Sequence, residues 1–544
     1  MSSNRIYLFI LLVAVLLFIP FLGAVHLFDW DEINFAEAAR EMIVTGKYTL
    51  VQIDYQPFWE KPPLFFWLQI LSMKGFGINE FAARLPNAIC GILTLLLLFR
   101  IGKKLISPQF GIWWSLLYAA SFLPHLYFKS GIIDPWFNLF IFAGVYHLIK
   151  LHVFEEENKV KNISLAGVFI GLGIMTKGPV ALLIFLLTYS VYILLRRFKG
   201  FIKFKYILYF GLTTLLTGMG WFLFEIINGR FYILQDFINY QIELFNTEGA
   251  GHGGPFYYHF VVLLIGCFPA SILMLPAMGK IQEEDSKVQA FSHWMKILFW
   301  VVLILFSIVK TKILHYSSMT YFSLTFLAAY SVVKVLPQKG AKGWMKGLIA
   351  LIGGVLSLLI MGLPLVDKYK EAIIASDSIK DPFAVANLQA KVEWSGLEFL
   401  LGLFFLVSII AALVMMRKKL KPAILLLSIS SLITINLFTV IFIPKIEQYS
   451  QGAAIRFYES KVNEDCYVTP YGYKSYAHLF YTQKQPQDNP DHRNPEWLYK
   501  GDIDKTCYFV SKITKKNKIE KEFPQWEFLG EENGFIFYKR SPKS

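Results

Sequence analysis

Charged residues are scarce in this chain: only 17% of its 544 residues are Asp, Glu, Lys or Arg, whereas 55% are hydrophobic. A water-soluble protein of this size needs far more charge to cover its surface. The apolar residues also occur in long blocks, and repeated apolar blocks of about 18 or more residues are typical of membrane-spanning helices. The scarcity of charge therefore excludes a soluble fold and predicts a polytopic membrane protein.

The sequence also lacks a signal-peptide cleavage pattern, internal repeats and low-complexity tracts. The apolar stretch from Ile6 to Val25 follows Arg5 and is long enough to span a membrane, so we interpret it as a first transmembrane helix that is retained. The net charge of +14 is concentrated in short basic segments between apolar blocks, such as Arg196 to Lys199. This placement follows the positive-inside rule and argues against a nucleic-acid partner.

The apolar blocks predict an all-α membrane domain of about thirteen transmembrane helices. The predicted spans lie near residues 6–25, 82–100, 111–128, 132–149, 163–176, 178–195, 206–227, 258–277, 296–309, 314–335, 347–365, 397–415 and 423–443. With Arg5 in the cytoplasm, every strongly basic loop then falls on the cytoplasmic side. The same assignment places four segments outside: 26–81, 228–257, 366–396 and everything after about 444.

Two domains are expected, a membrane domain over residues 1–443 and a small soluble α/β domain over 444–544. In the outer loop 26–81, the segments Ile33 to Val44 and Leu64 to Phe76 have apolar residues spaced as on helices that lie in the membrane interface. The last hundred residues are polar, and short β-type runs begin there at Cys466, Cys507 and Phe535.

The chain has only four cysteines, of which Cys90 and Cys267 lie in apolar blocks and Cys466 and Cys507 in the C-terminal domain. The topology puts that domain outside, where disulfides persist, so we expect Cys466 and Cys507 to form a disulfide. The closed loop of about 40 residues would stabilise the domain by roughly 3–4 kcal/mol. Two buried free thiols are the alternative.

Polar residues that can carry chemistry gather in the outer segments. Asp29, Asp31 and Glu32 directly follow the first span, and carboxylates at a membrane surface are costly unless they are paired, hydrated or bound to a ligand. The plainer alternative is a solvated helix start, which Asp and Glu favour. Glu60 and Lys61 precede two prolines that hold them on a rigid corner, where they can serve a metal and a phosphate together. The alternative there is a snorkelling Lys with an incidental neighbour.

Three motifs follow one another in the first outer loop: Asp31 to Met42, Phe58 to Leu64 and Gly77 to Pro86. Together they resemble the aminoarabinose transferase family, which is related to the protein O-mannosyltransferases within the GT-C glycosyltransferases. The resemblance is strong over roughly residues 25–180. It implies a thirteen-helix GT-C membrane domain in the bacterial inner membrane, with a soluble domain in the periplasm. It also implies a polyprenyl (undecaprenyl) phosphate sugar donor and a periplasmic acceptor such as lipid A, a protein or another glycan.

The resemblance also implies roles for the outer polar residues. By the family pattern Asp31 is the catalytic carboxylate, and Glu32 and Asp134 are the other catalytic candidates. The donor phosphate is expected to contact three residues: Lys61, Lys177 and Tyr316. A structural pair between Asp134 and Lys177 is one alternative, and ordinary anchoring of Tyr316 in the aromatic belt is another.

The expected cofactor is a divalent metal, bound by Glu60 and by His252 on the glycine-rich turn before the eighth span. A hydrated loop histidine is the alternative for His252. The chain departs from the family in two places: it has Asn34-Phe35 where the family often has Arg-Tyr, and no basic residue follows the histidine of the turn. The resemblance therefore implies a sugar donor without specifying its sugar.

Three other functions remain open from the sequence. A transporter or flippase usually places paired polar groups and broken helices near the bilayer midplane. Here the spans are almost free of charge and the polar residues gather at one surface, which favours an interfacial enzyme. A polymerase or ligase would use similar polyprenyl-linked substrates with other motifs, and in a receptor or assembly protein the C-terminal domain would do the work.

Overall fold

The chain is mostly helical, and its only extended sheet lies near the C-terminus of the described residues. The computed structural model describes residues 3–154, 158–246, 253–281 and 283–543. The helices of the first half are α1 Ser3–Phe18, α2 Asp31–Thr45, α3 Leu64–Phe76, α4 Glu80–Leu105, α5 Pro108–Ala119, α6 Phe122–Tyr127, α7 Asp134–Val153, α8 Lys159–Lys177, α9 Val180–Leu195, α10 Phe204–Gly218, α11 Gly220–Ile227 and α12 Phe231–Asn246. A two-residue hairpin, β1 Gln52–Ile53 and β2 Gln56–Pro57, lies between α2 and α3.

Long apolar helices continue through the second half before a region of short elements begins. The helices of this part are α13 Tyr258–Gly266, α14 Ala270–Leu273, α15 Ser286–Ile308, α16 Thr320–Tyr330, α17 Leu336–Lys339, α18 Gly343–Lys368, α19 Lys370–Ala375, α20 Pro382–Leu388, α21 Phe399–Met415, α22 Leu420–Ile441, α23 Ile443–Gln448, α24 Gly452–Glu459, α25 Ala477–Tyr481, α26 Pro495–Lys500 and α27 Lys516–Glu522. The four C-terminal strands are β3 Tyr467–Tyr471, β4 Cys507–Lys512, β5 Glu527–Glu532 and β6 Phe535–Arg540.

The chain is a multi-pass membrane protein. In the described residues, seven helices are long and apolar enough to cross a membrane, and up to nine if each of two bent helix pairs forms one span. Four shorter apolar helices, among them α1, α9 and α21, accompany them. Each of the thirteen predicted spans is helical over at least part of its length. The helical membrane domain is thus confirmed, whereas the count of thirteen spans stays a prediction.

Two predicted spans are bent rather than straight. The seventh consists of α10 and α11, which meet at 55° around Met219, between two glycines. The eighth consists of α13 and a second segment that turns away by 106°. Pro269 lies at that break, and a proline inside a helix removes a backbone hydrogen bond and clashes with the preceding turn. Hydropathy alone shows neither bend, because both halves of each pair are apolar.

The outer-loop helices form where the sequence predicts them, as α2 and α3, and most of α2 is buried. Its residues from Glu32 to Met42 are all buried. Its polar side chains can be buried because they bind one another and nearby backbone: Arg40 donates two hydrogen bonds to Glu37 (2.6 and 2.7 Å), and Glu41 accepts one from the Tyr55 N–H (2.7 Å). The helix over Ile33 to Val44 is confirmed, whereas its place in the membrane interface stays a prediction.

The C-terminal region covers α2. Its sheet has the order β3-β4-β6-β5, with β3 and β4 parallel and the other two pairs antiparallel. One apolar cluster joins Ile33 of α2 and Phe65 of α3 to Tyr458, Val510 and Phe537 of the C-terminal region. The predicted small α/β domain is present as a sheet with short helices, and it packs directly on the first outer loop.

The predicted disulfide between Cys466 and Cys507 is wrong, because both are free thiols. Tyr467 lies directly opposite Cys507 in the parallel pair of β3 and β4. Side chains alternate between the faces of a strand, so Cys466, one residue earlier, points to the opposite face from Cys507. Accordingly, Cys466 packs against the apolar cluster shared with α2, and Cys507 lies in the separate cluster behind the sheet.

Candidate active site

The candidate site is built around the start of α2, where Asp31 is the first helical residue. The next residue, Glu32, is buried and forms a bidentate ion pair with Arg84 of α4, with hydrogen bonds of 3.0 and 2.8 Å. Its carboxylate also accepts the backbone N–H groups of Phe28 and Gly131. Burial raises the pKa of Glu32, but the Arg84 guanidinium and these hydrogen bonds outweigh it, so the pKa lies below its usual value. These four hydrogen bonds fix Glu32, which in turn holds the first turn of α2 and its neighbour Asp31 in place.

Arg84 also joins the end of the first membrane helix to this site. Its guanidinium donates hydrogen bonds to the carbonyl oxygens of Leu22 (2.8 Å), Val25 (2.7 Å) and His26 (2.9 Å). A planar guanidinium has five N–H donors in a fixed geometry, and here it uses them on one carboxylate and three carbonyl groups. The chain segment that leads into Asp31 is thus fixed from the membrane side.

The C-terminal region fixes the same segment from the other side. The Leu27 N–H donates to the Tyr481 hydroxyl (2.7 Å), and the Gln451 amide donates to the Leu27 carbonyl (2.8 Å). His26 lies 2.8 Å from a carboxylate oxygen of Glu447. These contacts hold the backbone before Asp31 between the membrane domain and the C-terminal region.

Three other charged residues complete a chain of charges that starts at Asp31. The Nε2 atom of His315 lies 3.7 Å from a carboxylate oxygen of Asp31 and 3.7 Å from Oδ2 of Asp134. The other oxygen of Asp134 accepts a hydrogen bond of 2.6 Å from the Lys177 ammonium. The Asp31 side chain is 34% exposed and that of Asp134 only 2%, so Asp31 is the carboxylate that a substrate can reach. The structural pair of Asp134 and Lys177, which the sequence left open, is present.

The Glu60–Lys61 corner lies beside this chain of charges. The Lys61 ammonium donates to the Glu60 carbonyl (3.3 Å) and lies 4.9 Å from the centre of the Tyr240 ring. The Tyr240 hydroxyl in turn donates to the Glu60 carboxylate (2.9 Å). Burial is the largest cause that lowers the pKa of Lys61, and the nearby Lys177 cation lowers it further, against the attraction of Glu60, Asp31 and Asp134. A bound anion would relieve this unfavourable effect of the Lys177 cation on a charged Lys61.

Tyr316 lies on the same side of the site, with its ring centre 5.2 Å from the Lys177 ammonium. The short turn that carries His315 and Tyr316 is anchored by Lys312, whose ammonium donates to the carbonyl groups of Phe306, Ser307 and Val309 at the end of α15. Three helices and two loops thus bring together Asp31, Glu60, Lys61, Asp134, Lys177 and Tyr316.

The structure does not complete a metal site in the residues that it describes. His252 lies outside the described residues, although its neighbour Gly253 forms a β-bridge with Thr311, close to the turn of His315. Glu60 already binds Tyr240, and nowhere in the described ranges do three His, Cys, Asp or Glu side chains come together as metal ligands. Glu60 alone does not make a metal site.

Sequence reasoning missed three residues of this site. The sequence contains a hint that His315 belongs to the site, because it directly precedes Tyr316, a predicted site residue. There is a hint for Arg84 as well, because it belongs to the third motif. For Tyr240 the sequence offers no signal, because nothing in an amphipathic helix indicates which residue will reach a carboxylate 180 residues earlier in the chain.

Comparisons with known proteins show which families and folds this chain resembles. A family model described as dolichyl-phosphate-mannose-protein mannosyltransferase matches residues 60–221. An uncharacterised protein of Aquifex aeolicus (strain VF5) is 30% identical over 301 residues, which cover 55% of this chain and 66% of that protein. The undecaprenyl phosphate-alpha-4-amino-4-deoxy-L-arabinose arabinosyl transferase of Edwardsiella ictaluri (strain 93-146) is 28% identical over 345 residues, or 61% of each chain. The chain thus spans less than two-thirds of the length of these relatives.

Among solved structures, the crystal structure of ArnT from Cupriavidus metallidurans bound to undecaprenyl phosphate is similar over 100% of both chains, with a TM-score of 0.78 and 15% identity. The apo structure of the same protein matches with a TM-score of 0.77. At this identity the likeness shows the fold. The resemblance that the three motifs indicate is confirmed: this chain is similar in sequence to the aminoarabinose transferases and has the fold of ArnT.

Proposed function

We propose that this protein is an integral membrane glycosyltransferase, which moves a sugar from a polyprenyl phosphate donor to an acceptor outside the cytoplasm. The observation that carries the proposal is the reachable Asp31 carboxylate beside the ammonium groups of Lys61 and Lys177, at one end of the membrane helices. A base next to two cations suits the transfer of a group away from a phosphate. The similarity to arabinosyl transferases supports a polyprenyl phosphate as the carrier.

In the proposed reaction, Asp31 takes the proton of the acceptor hydroxyl while the hydroxyl oxygen forms a bond to the anomeric carbon. The bond from that carbon to the phosphate oxygen breaks, and the polyprenyl phosphate leaves with its electron pair. Attack from the face opposite the phosphate inverts the anomeric centre. Lys61 and Lys177 stabilise the negative charge on the departing phosphate, and the Tyr316 hydroxyl can donate to it. The His315 imidazole lies between Asp31 and Asp134, 3.7 Å from an oxygen of each, and keeps the two carboxylates apart.

The proposal extends to topology and to the division of roles. We propose thirteen spans in the bacterial inner membrane, with the N-terminus in the cytoplasm and the site and C-terminal domain in the periplasm. Glu32 and Asp134 act as positioning residues rather than as bases, because each already binds a cation. The acceptor is a periplasmic glycan, a protein or lipid A. The identity of the donor sugar is not part of the proposal, because Asn34 and Phe35 replace the Arg-Tyr that the family often has there.

The function is tested by mass spectrometry of lipid A and surface glycans from cells with and without the gene. We expect one sugar to be missing without the gene and restored by the wild type. Lys61→Ala is expected to restore less than about 1% of the modification. The variant lacks the ammonium group that stabilises the negative charge developing on the phosphate in the transition state. The control Lys74→Ala removes an exposed lysine from the same outer loop and should restore the modification fully. Unchanged glycans without the gene would contradict the proposed function, and full restoration by Lys61→Ala would remove Lys61 from the mechanism.

We also propose a divalent metal at Glu60 and His252, as the resemblance implies. The purified protein is expected to contain about one divalent ion that chelation removes together with activity, and Glu60→Gln should lower the metal content. Glu371→Gln, which changes an exposed carboxylate, should leave the content unchanged. Full activity of metal-free protein would contradict this proposal and leave Glu60 as the partner of Tyr240.

A further inference from the structure

A cavity of about 1090 Å³ opens between α9 and α15, and none of its lining residues belongs to the candidate active site. Helix α9 begins three residues after Lys177, at the active-site end of the membrane domain, and ends at Leu195 on the opposite face. Helix α15 runs the other way, from Ser286 on that opposite face to Ile308. The lining follows α15 from Ser286 to Ile308, and its basic side chains lie at the end away from the active site, which we call the mouth.

The mouth of the cavity is basic. Its lining includes five cationic or titratable basic side chains: His152, Arg196, Lys287, His293 and Lys296. No Asp or Glu is among the lining residues in the described part of the chain. Arg196 is oriented by a hydrogen bond to the Tyr192 hydroxyl (2.8 Å), and Lys296 by one to the Gly279 carbonyl. Such a cluster attracts an anion at the membrane surface.

The rest of the lining is apolar. It includes Leu187 and Val191 of α9 and Ile297, Val301 and Ile304 of α15. From Lys287 to Ile308 the lining follows α15 for about 32 Å at 1.5 Å per residue, which is close to the thickness of the hydrocarbon core. An anion at the mouth with hydrocarbon along the groove is the arrangement of an anionic phospholipid.

We propose that this groove binds a phospholipid with an anionic headgroup, from the leaflet on the face away from the active site. Arg196, Lys287 and Lys296 hold the phosphate, and an acyl chain lies along α15. Charge complementarity selects this occupant, since the ammonium group of a zwitterionic lipid already balances its phosphate and would be repelled by the basic mouth. The site is independent of the proposed transferase chemistry, because no residue is shared between the two.

The test is native mass spectrometry of the purified protein with phosphatidylglycerol and with phosphatidylcholine of the same acyl chains. We expect the wild type to retain phosphatidylglycerol preferentially. A cation beside membrane phosphate contributes about fivefold to affinity, so Arg196→Gln, Lys287→Gln and Lys296→Gln combined should weaken binding by on the order of a hundredfold. The matched control combines Lys199→Gln, Lys203→Gln and Lys205→Gln, which remove the same charge from exposed positions in the loop after α9 and in the first turn of α10. Its binding should stay within about twofold of the wild type.

A second variant tests the groove without changing charge. Ala290 lines the cavity near its mouth, and Ala290→Trp should fill it and displace phosphatidylglycerol while all five basic side chains remain. Equal binding of phosphatidylcholine, equal losses in the two triple variants, or undiminished binding by Ala290→Trp would each overturn the proposal. Preferential retention of a polyprenyl phosphate at these residues would overturn it as well. If the lining triple variant does not fold, Ala290→Trp decides the question.

Discussion

Replacing Asp31 by asparagine is expected to lower sugar transfer by at least about a hundredfold, with normal insertion and stability. Asparagine keeps the shape of the side chain but cannot accept the proton of the acceptor hydroxyl, and general bases contribute about 10²–10⁴-fold. The side chain is one-third exposed and the His315 imidazole is 3.7 Å away, beyond hydrogen-bond distance, so its replacement breaks no buried ion pair. The measurement is transfer by purified protein under single-turnover conditions, where donor binding and chemistry can be separated.

The control for this experiment is Asp236→Asn on α12, an exposed carboxylate in another outer segment. It should transfer sugar at the wild-type rate. A loss in Asp31→Asn that resides in donor affinity alone, with an unchanged rate for bound donor, would contradict the role of Asp31 as base. Near-normal transfer would remove Asp31 from the mechanism and turn attention to Asp134.

Replacing Arg84 by methionine should have the largest effect on stability. It leaves the buried Glu32 carboxylate without its cation and three carbonyl groups without their donor. Removing one partner of a buried ion pair costs about 3–5 kcal/mol. We expect a fall in Tm of several degrees in detergent, with the loss of activity following the loss of folded protein.

Two further variants are compared with Arg84→Met in stability. Arg456→Met removes the cation of an exposed ion pair with Glu532, which should cost less than about 1 kcal/mol. The double variant Glu32→Gln with Arg84→Met should lose less than the sum of the single variants, because it leaves no unpaired buried charge. An Arg84→Met protein as stable as Arg456→Met would show that the buried pair contributes nothing net to the fold.

Local patterns in the sequence predict the membrane helices well. Long apolar blocks leave little choice but helices, since backbone polar groups must be satisfied within the segment when water is absent. The bend at Met219 and the burial of α2 depend instead on packing between distant segments, and hydropathy does not show the break at Pro269. Strand β5 went unpredicted for a related reason: Glu527 to Glu532 is polar and mostly exposed, and it becomes a strand by pairing with β6.

In the candidate site, too, local motifs predict some residues and packing between distant segments determines others. Asp31 and Lys61 could be predicted because specific local motifs carry them. The proximity of His315 to both Asp31 and Asp134 could not, because the turn of His315 is placed by Lys312 at the end of α15. The disulfide prediction failed on register, since a single residue decides to which face of a strand a cysteine points. Sequence patterns therefore did not predict which side chains from distant segments meet.

The backbone before Asp31 is held in place by residues that the ribosome adds more than 400 positions later. Leu27 binds Tyr481, which is 454 positions later, and His26 binds Glu447, which is 421 positions later. A ribosome that has finished all the membrane helices has not yet made Tyr481. The chain can therefore be inserted long before the loop that carries Asp31 has its partners. We therefore expect activity only after the last hundred residues have folded against this loop, and a chain cut short within them should remain in the membrane as an inactive protein.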